Sequence, residues 1–225
     1  MRTVRTSKNS VGLLFIEEHA QRLGILREEL EKVWRQIAKD CIADERITVV
    51  KGARGEYLVT KELIDVAEMD RLRATGCKVH LVEHTRINPS TKSTKWVQER
   101  AKLTLKVKDA EEVLLVNESG EITEGCTSNV FACYDDPNVW YTAPDSIVLP
   151  GTMRKAVIQA MGEIGLELNF NAPKKNQIVS AFICSTSRFV IPIGYLDDHL
   201  LQLPFITNSL MKALCASVLP RYTTE

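Results

Sequence analysis

An α+β fold is predicted from the mixture of local patterns along the 225-residue chain. Short runs rich in β-branched and aromatic residues are mixed with stretches of helical periodicity, without the strict strand–helix–strand order of parallel α/β proteins. A polar stretch at 61–76 separates two groups of predicted elements. We therefore expect two domains, a small α+β domain over residues 1–75 and a larger α+β domain over residues 76–225.

One helix and one hairpin are predicted in the first group of elements. The helix begins within 15–19 and ends near Cys41, because apolar residues recur at steps of three and four positions. Two β-rich runs at 47–50 and 57–60 flank a glycine-containing turn at 52–55, which predicts an antiparallel hairpin. The apolar stripe of the helix consists of Leu23, Leu26, Leu30, Val33, Trp34, Ile37 and Ala38.

The second group contains more strands than helices. Apolar runs predict strands at 79–82, 113–116, 130–134, 139–142 and 181–185. An irregular segment at 86–91 contains Pro89 and separates the first two of these strands. A helix is expected directly after the break at Pro150 and Gly151, and a last helix is expected over 209–219.

The composition excludes several classes of function. The 29 basic and 29 acidic residues give a formal net charge of zero, so no global field attracts nucleic acid or an anionic membrane. No apolar run approaches the ~20 residues that a membrane-spanning helix needs. The six cysteines are scattered without the paired spacing of a metal site, which favours reduced thiols in a cytoplasmic protein. We therefore expect no metal, nucleic-acid or membrane partner.

Residues 123–131 read T-E-G-C-T-S-N-V-F and follow an apolar strand and a tight turn. The carboxylate of Glu124 stands beside a glycine and small hydroxyl residues, an arrangement that suits a carboxylate held at fixed depth against a flat, polar ligand. The stretch resembles the T-E-G-(S/C)-T-S-N-x-F signature of the class IV aminotransferases, fold-type IV enzymes that use pyridoxal phosphate. The resemblance implies that Glu124 lies opposite the pyridine nitrogen of the cofactor and keeps the ring protonated.

The resemblance also implies a lysine that forms the Schiff base with the cofactor. Lys92 lies in N-P-S-T-K-S-T-K-W-V, which is similar to the lysine-bearing loop and strand of the family, and it precedes Glu124 by 32 positions. In these enzymes the same lysine moves the proton of the substrate's α-carbon. Lys95 is a neighbouring cation that would favour the neutral, nucleophilic form of Lys92. Lys95 and Lys102 are the alternative candidates for the Schiff-base lysine.

A phosphate site is implied by three further segments. The segment I-E-E-H-A-Q-R-L is similar to the family motif L-E-x-H-x-x-R-L, whose arginine binds the cofactor phosphate, and this makes Arg22 the candidate. The helix that opens at Gly151, Thr152 and Met153 offers backbone N–H groups to the same phosphate. The family usually has an aliphatic residue and then threonine after this glycine, so the match is imperfect here. Thr186, in C-S-T-S-R, matches a phosphate-contacting threonine of the family.

Together, these motifs imply a two-domain fold-type IV enzyme of the branched-chain or D-amino-acid aminotransferase type. The resemblance further implies a homodimer that acts on an amino acid and a 2-oxo acid. Family members usually carry additional residues before the phosphate arginine, and a longer interval between that arginine and the Schiff-base lysine. We therefore expect the small domain to be incomplete in this sequence, through truncation or divergence.

Two other interpretations fit the same residues. A lyase of the aminodeoxychorismate type shares the fold and the cofactor but eliminates a group instead of transferring one. Such lyases tend to lack the T-S-N run that follows the glutamate, and this chain has it. A non-catalytic member of the fold would keep the motifs as scaffold and serve as a binding or assembly module.

Overall fold

The computed structural model describes residues 3–5, 11–107 and 109–222. The chain separates into two compact units, Met1–Val66 together with Cys215–Glu225, and Ala67–Leu214. The mixture of helices and sheets confirms the predicted α+β class. The division into domains at residue 75 stays a prediction. None of the helices in the described ranges is long and apolar enough to cross a membrane.

The first unit packs two helices against a hairpin. Its main elements are β1 (Thr3–Arg5), β2 (Val11–Leu13), α1 (Ile16–Leu23), α2 (Arg27–Ile37), β3 (Glu45–Lys51) and β4 (Tyr57–Leu63). Buried side chains from both helices and from β3 form its core, among them Ala20, Leu30 and Ile47. The β3–β4 pair is antiparallel with Thr48 opposite Thr60, which confirms the predicted hairpin.

The prediction of a single long helix in this unit is wrong, because the chain forms two helices, α1 and α2. Gly24 ends α1 in the left-handed conformation, with φ of 64°, and its N–H bonds to the carbonyls of Ala20 and Gln21. Glycine adopts this conformation at little cost, which makes it a common helix terminator. Leu26 then has extended backbone before α2 begins, and it is 74% exposed although it belongs to the predicted apolar stripe.

The second unit is built around a mixed β-sheet. Its elements are α3 (Val66–Thr75), β5 (Cys77–Glu83), α4 (Thr94–Thr104), β6 (Glu112–Val116), β7 (Ile122–Gly125), β8 (Asn129–Cys133), β9 (Val139–Tyr141), α5 (Thr152–Glu163), β10 (Glu167–Asn169), β11 (Ser180–Ser185), β12 (Phe189–Leu196), β13 (His199–Leu200) and α6 (Thr207–Ala213). The five predicted strands are confirmed as β5, β6, β8, β9 and β11, and the predicted helix as α5. The predicted helix at 209–219 changes type after α6, through π-helical Leu214–Val218 to the 3₁₀ turn Leu219–Tyr222.

Six strands of this sheet close into a ring. The pairs run from β8 to β11, β12, β5, β6 and β7, and β7 returns to β8. Pairing is parallel between β12 and β5 and between β5 and β6, and antiparallel elsewhere around the ring. The closure places the two strands of the T-E-G signature, β7 and β8, between β6 and β11.

The strands of the ring have two buried faces. Successive side chains of a strand point to opposite faces, so alternate residues join different clusters. Leu114 and Val116 of β6 belong to a cluster shared by the strands of the ring, whereas Val113 and Leu115 pack with Trp96 of α4. This packing anchors α4, the helix that follows Lys92, on the sheet.

Candidate active site

Glu124 lies on β7 and is buried, with 2% of its surface exposed. Nη1 of Arg86 donates to its Oε1 at 3.1 Å, and the backbone N–H of Leu149 donates to its Oε2 at 3.0 Å. The side chains of Arg86 and Glu124 are only 4% and 3% exposed, so the ion pair is withdrawn from water. Buried charges persist when they are paired and hydrogen-bonded. Both carboxylate oxygens are therefore held by the protein in one position.

Burial also changes the acidity of this carboxyl group. Burial raises the pKa of Glu124, while the hydrogen bond from Leu149 and the charge of Arg86 oppose the rise. The carboxylate of Glu112 adds a smaller upward contribution to the pKa of Glu124. A buried carboxylate with a shifted pKa and a specific cationic partner is typical of a functional site.

Arg86 connects Glu124 to the loop that carries Lys92. Its Nη2 donates to the carbonyl of Thr91 at 2.7 Å, while Nη1 holds Glu124. The guanidinium carbon lies 4.8 Å from the centre of the Trp96 ring, close enough for a cation–π contact. Arg86 could not be assigned a role from sequence, because its partner is 38 positions away and no short motif marks the pair.

Lys92 lies on an exposed, irregular loop between β5 and α4. The N–H of Thr91 donates to the carbonyl of Asn88 at 3.1 Å, and Asn88 has left-handed backbone with φ of 52°. Directly after the lysine, the Oγ of Ser93 accepts from the N–H of Trp96 at 3.3 Å and caps α4. The strand expected after Lys92 from the family resemblance is therefore wrong, because helix α4 follows the lysine.

The two alternative lysines lie on α4. Lys95 is 80% exposed, and its Nζ lies 3.9 Å from Oε1 of Glu99, one helical turn further on. Lys102 is exposed in the last turn of the helix. Of the three lysines, Lys92 is the one that directly follows Thr91, the residue tied to the buried ion pair.

The backbone of Leu149 is held at both its N–H and its carbonyl by the signature strands. Its N–H donates to Glu124 of β7, and its carbonyl accepts from Nδ2 of Asn129 of β8 at 2.9 Å. Glu124 and Asn129 are opposite each other in the β7–β8 register. A Cβ on Gly151 would lie 2.3 Å from Oδ1 of Asn129, so the close approach requires glycine. The signature thereby fixes the point at which α5 begins.

The N-terminus of α5 brings two hydroxyl groups together. The Oγ1 atoms of Thr152 and Thr186 lie 3.0 Å apart. The first N–H groups of a helix have no partner within the helix, and the helix dipole is positive there, so an anion is stabilised at this position. Met153, the second residue of α5, is itself buried. The guanidinium of Arg154 is 3.2 Å from the carboxylate of Asp145.

Arg22 belongs to the first unit, where it lies exposed in the last turn of α1. The structure therefore does not test its predicted contact with a phosphate. Its assignment rests on the I-E-E-H-A-Q-R-L motif and stays a prediction.

Three chemical features meet in the second unit: a fixed buried carboxylate, an exposed lysine loop tied to it, and a helix N-terminus with two hydroxyls. A flat ligand with a protonated ring nitrogen and a phosphate finds a partner for each group in this set. The structure joins Glu124, Gly151, Thr152 and Thr186 through direct contacts or shared neighbours. Lys92 is joined to them through Thr91 and its contact to the buried arginine.

Solved structures share this fold at low sequence identity. A branched-chain aminotransferase from the archaeon Thermoproteus uzoniensis, solved with norvaline, has a TM-score of 0.81 at 18% identity, over 99% of this chain and 87% of its own. The branched-chain amino acid aminotransferase of Escherichia coli has a TM-score of 0.78 at 18% identity, over 100% and 88%. A hypothetical aminotransferase from Mycobacterium tuberculosis, with α-ketoglutarate and PMP bound, has a TM-score of 0.74 at 17% identity, over 98% and 88%.

At these identities the likeness establishes the fold, and the sequence establishes the family. No curated protein sequence is significantly similar to the chain. The family model of class IV amino-transferases matches residues 3–195, which is most of the chain and contains every residue assigned above to the site. The protein therefore belongs to the class IV aminotransferase family.

Proposed function

We propose that Lys92, Glu124 and the N-terminus of α5 form the active site of this transaminase, with pyridoxal phosphate as its cofactor. As a class IV aminotransferase, the protein moves an amino group between an amino acid and a 2-oxo acid. The observation that carries the assignment of residues is the buried Arg86. It binds Glu124 with one nitrogen and, with another, the carbonyl of Thr91, the residue before Lys92.

The residues of the second unit fit this cofactor. When bound, pyridoxal phosphate supplies an electron-accepting ring that stabilises the charge left when an amino acid loses its α-proton. A carboxylate has about four acceptor positions, so the two bonds that Glu124 already accepts leave room for a ring N–H. The N–H groups of the first turn of α5, with the hydroxyls of Thr152 and Thr186, are suitable donors for the phosphate. Arg22 is assigned to the same phosphate on its motif.

Lys92 is assigned two roles. Its amine holds the cofactor, and its Nζ takes the proton from the substrate's α-carbon and later returns one. Both roles require a side chain that changes position between steps. Lys92 lies on an exposed loop between β5 and the capped start of α4, which permits this motion. Arg86 holds the preceding residue, Thr91, in place.

We propose a branched-chain or other aliphatic amino acid as the donor and a short 2-oxo acid as the acceptor. The support comes from structures of the same fold, one solved with norvaline and one with α-ketoglutarate. A D-amino acid donor is the alternative that the motifs leave open. Comparing rates with L- and D-norvaline, each with 2-oxoglutarate, distinguishes the two.

We also propose that the protein is a homodimer in the cytoplasm. The homodimer rests on the family resemblance, and light scattering of the purified chain tests it. The location is supported by the state of the cysteines, since five of them are buried as free thiols, which suits a reducing compartment.

An absorbance titration of the purified chain with pyridoxal phosphate tests the proposed site. The expected result is a visible-range band that an amino donor bleaches. The band should be lost in Lys92→Ala and kept in Lys95→Ala, a matched control three positions away on the exposed side of α4. A folded wild-type protein without the band, or a Lys92→Ala protein that retains it, would contradict the assignment.

A second assay separates transamination from elimination. A transaminase consumes the donor continuously only when a 2-oxo acid is present, because the donor alone reacts once with each bound cofactor. Release of pyruvate from aminodeoxychorismate without any acceptor would instead establish the lyase activity.

A further inference from the structure

We propose that Arg188 is a positioning residue that holds Thr186 in place for phosphate binding. Ser185 and Phe189 are paired in the β11–β12 register, so residues 186–188 form a tight turn between the two strands. Thr186 and Arg188 therefore share one short turn. The inference rests on the proposed role of Thr186 as a phosphate donor.

A buried carboxylate anchors Arg188. Its Nη2 forms an ion pair with Oε2 of Glu112, the first residue of β6, and the two side chains are 15% and 2% exposed. The same oxygen accepts hydrogen bonds from the hydroxyls of Thr127 and of Ser128, the latter at 2.9 Å. Nη2 of Arg188 also donates to the Oγ1 of Thr127 at 2.6 Å. One carboxylate thus joins β6, the signature turn between β7 and β8, and the turn that carries Thr186.

The backbone of the β11–β12 turn is fixed as well. The Oγ of Ser185 accepts from the N–H of Arg188 at 3.3 Å and from its Nε at 3.4 Å. Nη2 of Arg73, on α3, donates to the carbonyl of Arg188 at 3.0 Å. The next residue, Phe189, has left-handed backbone with φ of 59°, a conformation that persists in a residue with a side chain only where its surroundings fix it. Contacts to both the side chain and the backbone of Arg188 hold the residue directly before Phe189.

These contacts disfavour Arg188 as a direct ligand of an anion. Its Nη1 donates to the carbonyl of Glu111 at 3.3 Å, its Nη2 donates to Glu112 and Thr127, and its Nε donates to Ser185. Turning the guanidinium toward a ligand would leave the buried Glu112 without its cation, which is costly. The turn at 186–188 instead places the hydroxyl of Thr186 at 3.0 Å from the hydroxyl of Thr152, at the start of α5.

The test compares the cofactor with pyridoxal, which has the same ring and aldehyde but no phosphate. In Arg188→Met the dissociation constant for pyridoxal phosphate should rise about tenfold to a hundredfold, the range for one lost hydrogen bond to a charged group. The dissociation constant for pyridoxal should change little. The ratio of the two constants isolates the phosphate contribution, which a general loss of stability would not alter.

A double variant that lacks the buried ion pair controls for misfolding. Arg188→Met alone leaves Glu112 buried without its partner, whereas the double variant Glu112→Gln/Arg188→Met removes both charges and keeps an amide oxygen for the signature hydroxyls. The folded double variant should show the same loss of phosphate preference. A wild-type ratio in this variant would overturn the inference.

A mutant cycle with Thr186→Val identifies positioning as the cause. If Arg188 acts through Thr186, the two substitutions are not additive, and Arg188→Met has little further effect on phosphate preference in the Thr186→Val background. Additive losses would overturn the inference and leave the proposed function intact. Equal affinity of the wild-type protein for pyridoxal phosphate and pyridoxal would overturn the proposed function as well.

Discussion

The second unit holds the two residues to which we assign the main roles, Glu124 and Lys92, in opposite ways. Glu124 lies on a central strand, is almost fully buried, and has both oxygens bonded to the protein. Lys92 lies on an exposed, irregular loop. A carboxylate that sets the charge state of a ring nitrogen works best in one preorganised position. An amine that holds a cofactor and also moves a proton must change position, and a loop allows this more readily than a packed strand.

Arg86 links the buried carboxylate of Glu124 to the loop that carries Lys92. It is as buried as Glu124, yet its second contact is a backbone carbonyl in the lysine loop. The exposed lysine therefore directly follows an anchored residue, Thr91. The contrast between the two regions predicts different consequences for substitutions in each.

The largest effect on activity is expected for Lys92→Ala. Turnover should fall by at least about 10³-fold, because general acid–base catalysis alone contributes about 10²–10⁴. The free energy of unfolding should change by less than about 0.5 kcal/mol, since the side chain is exposed. Glu124→Ala should instead lower turnover and stability together. Kinetic assays with urea unfolding measure both, and equal destabilisation by the two variants would contradict the contrast.

Arg86→Met should have the largest effect on stability. It leaves the carboxylate of Glu124 buried without its cation, which costs about 3 kcal/mol in the free energy of unfolding. Arg71→Met is a matched control, because Arg71 pairs with Glu68 on the surface and is 54% exposed. Its cost should stay below about 1 kcal/mol. Similar costs for the two variants in urea unfolding would show that the buried pair is not special.

The cost of Arg86→Met should also depend on pH. Burial already raises the pKa of Glu124, and loss of the arginine removes an opposing contribution and raises it further. A carboxyl with a higher pKa in the folded state binds its proton more tightly there, so stability falls as pH rises from the unfolded-state pKa through the folded-state pKa. The destabilisation should therefore be greatest at neutral pH and shrink in acid, where Glu124 is protonated. A cost independent of pH in urea unfolding would contradict this account.

The parts of the site that are local in sequence could be predicted from sequence. The motif around Glu124 and the break at Gly151 each occupy only a few consecutive residues. The residue types within each short segment indicate its role. Arg86 pairs with Glu124 across 38 positions, and Arg188 pairs with Glu112 across 76. Such pairs form only when the ring of strands closes, and no short pattern marks them beforehand.

The same distinction applies to the fold. The apolar period of the first helix continues through Gly24, so the pattern predicts one helix where the backbone conformation of one residue produces two. Strand β12 contains Pro192 and Gly194, residues that weaken a strand pattern, yet its neighbours on both sides pair with it. Helix α4 has few apolar residues, and the burial of Trp96 and Leu103 against the sheet stabilises it. In the last two cases tertiary packing outweighs the local pattern.

Gly151→Ala tests how tightly the signature holds the start of α5. The new methyl group would meet Oδ1 of Asn129 at 2.3 Å, and such overpacking costs about 2 kcal/mol. Gly162→Ala is the control on the same helix, because a Cβ there meets no atom within 4 Å. It should increase stability by about 0.5–1 kcal/mol, since alanine is the better helix former. Thermal unfolding of the two variants should therefore shift in opposite directions, and parallel shifts would argue against the close contact.

The smallest effect is expected at Ser93, which adjoins the lysine loop. Ser93→Ala removes the cap of α4 and should cost about 1 kcal/mol in the free energy of unfolding. Ser93→Asp should restore the stability, because aspartate also caps and its charge suits the positive end of the helix. Urea unfolding measures both variants. If neither variant changes stability, the cap does not fix the start of α4, and the packing of Trp96 against the sheet is left as the feature that ends the lysine loop.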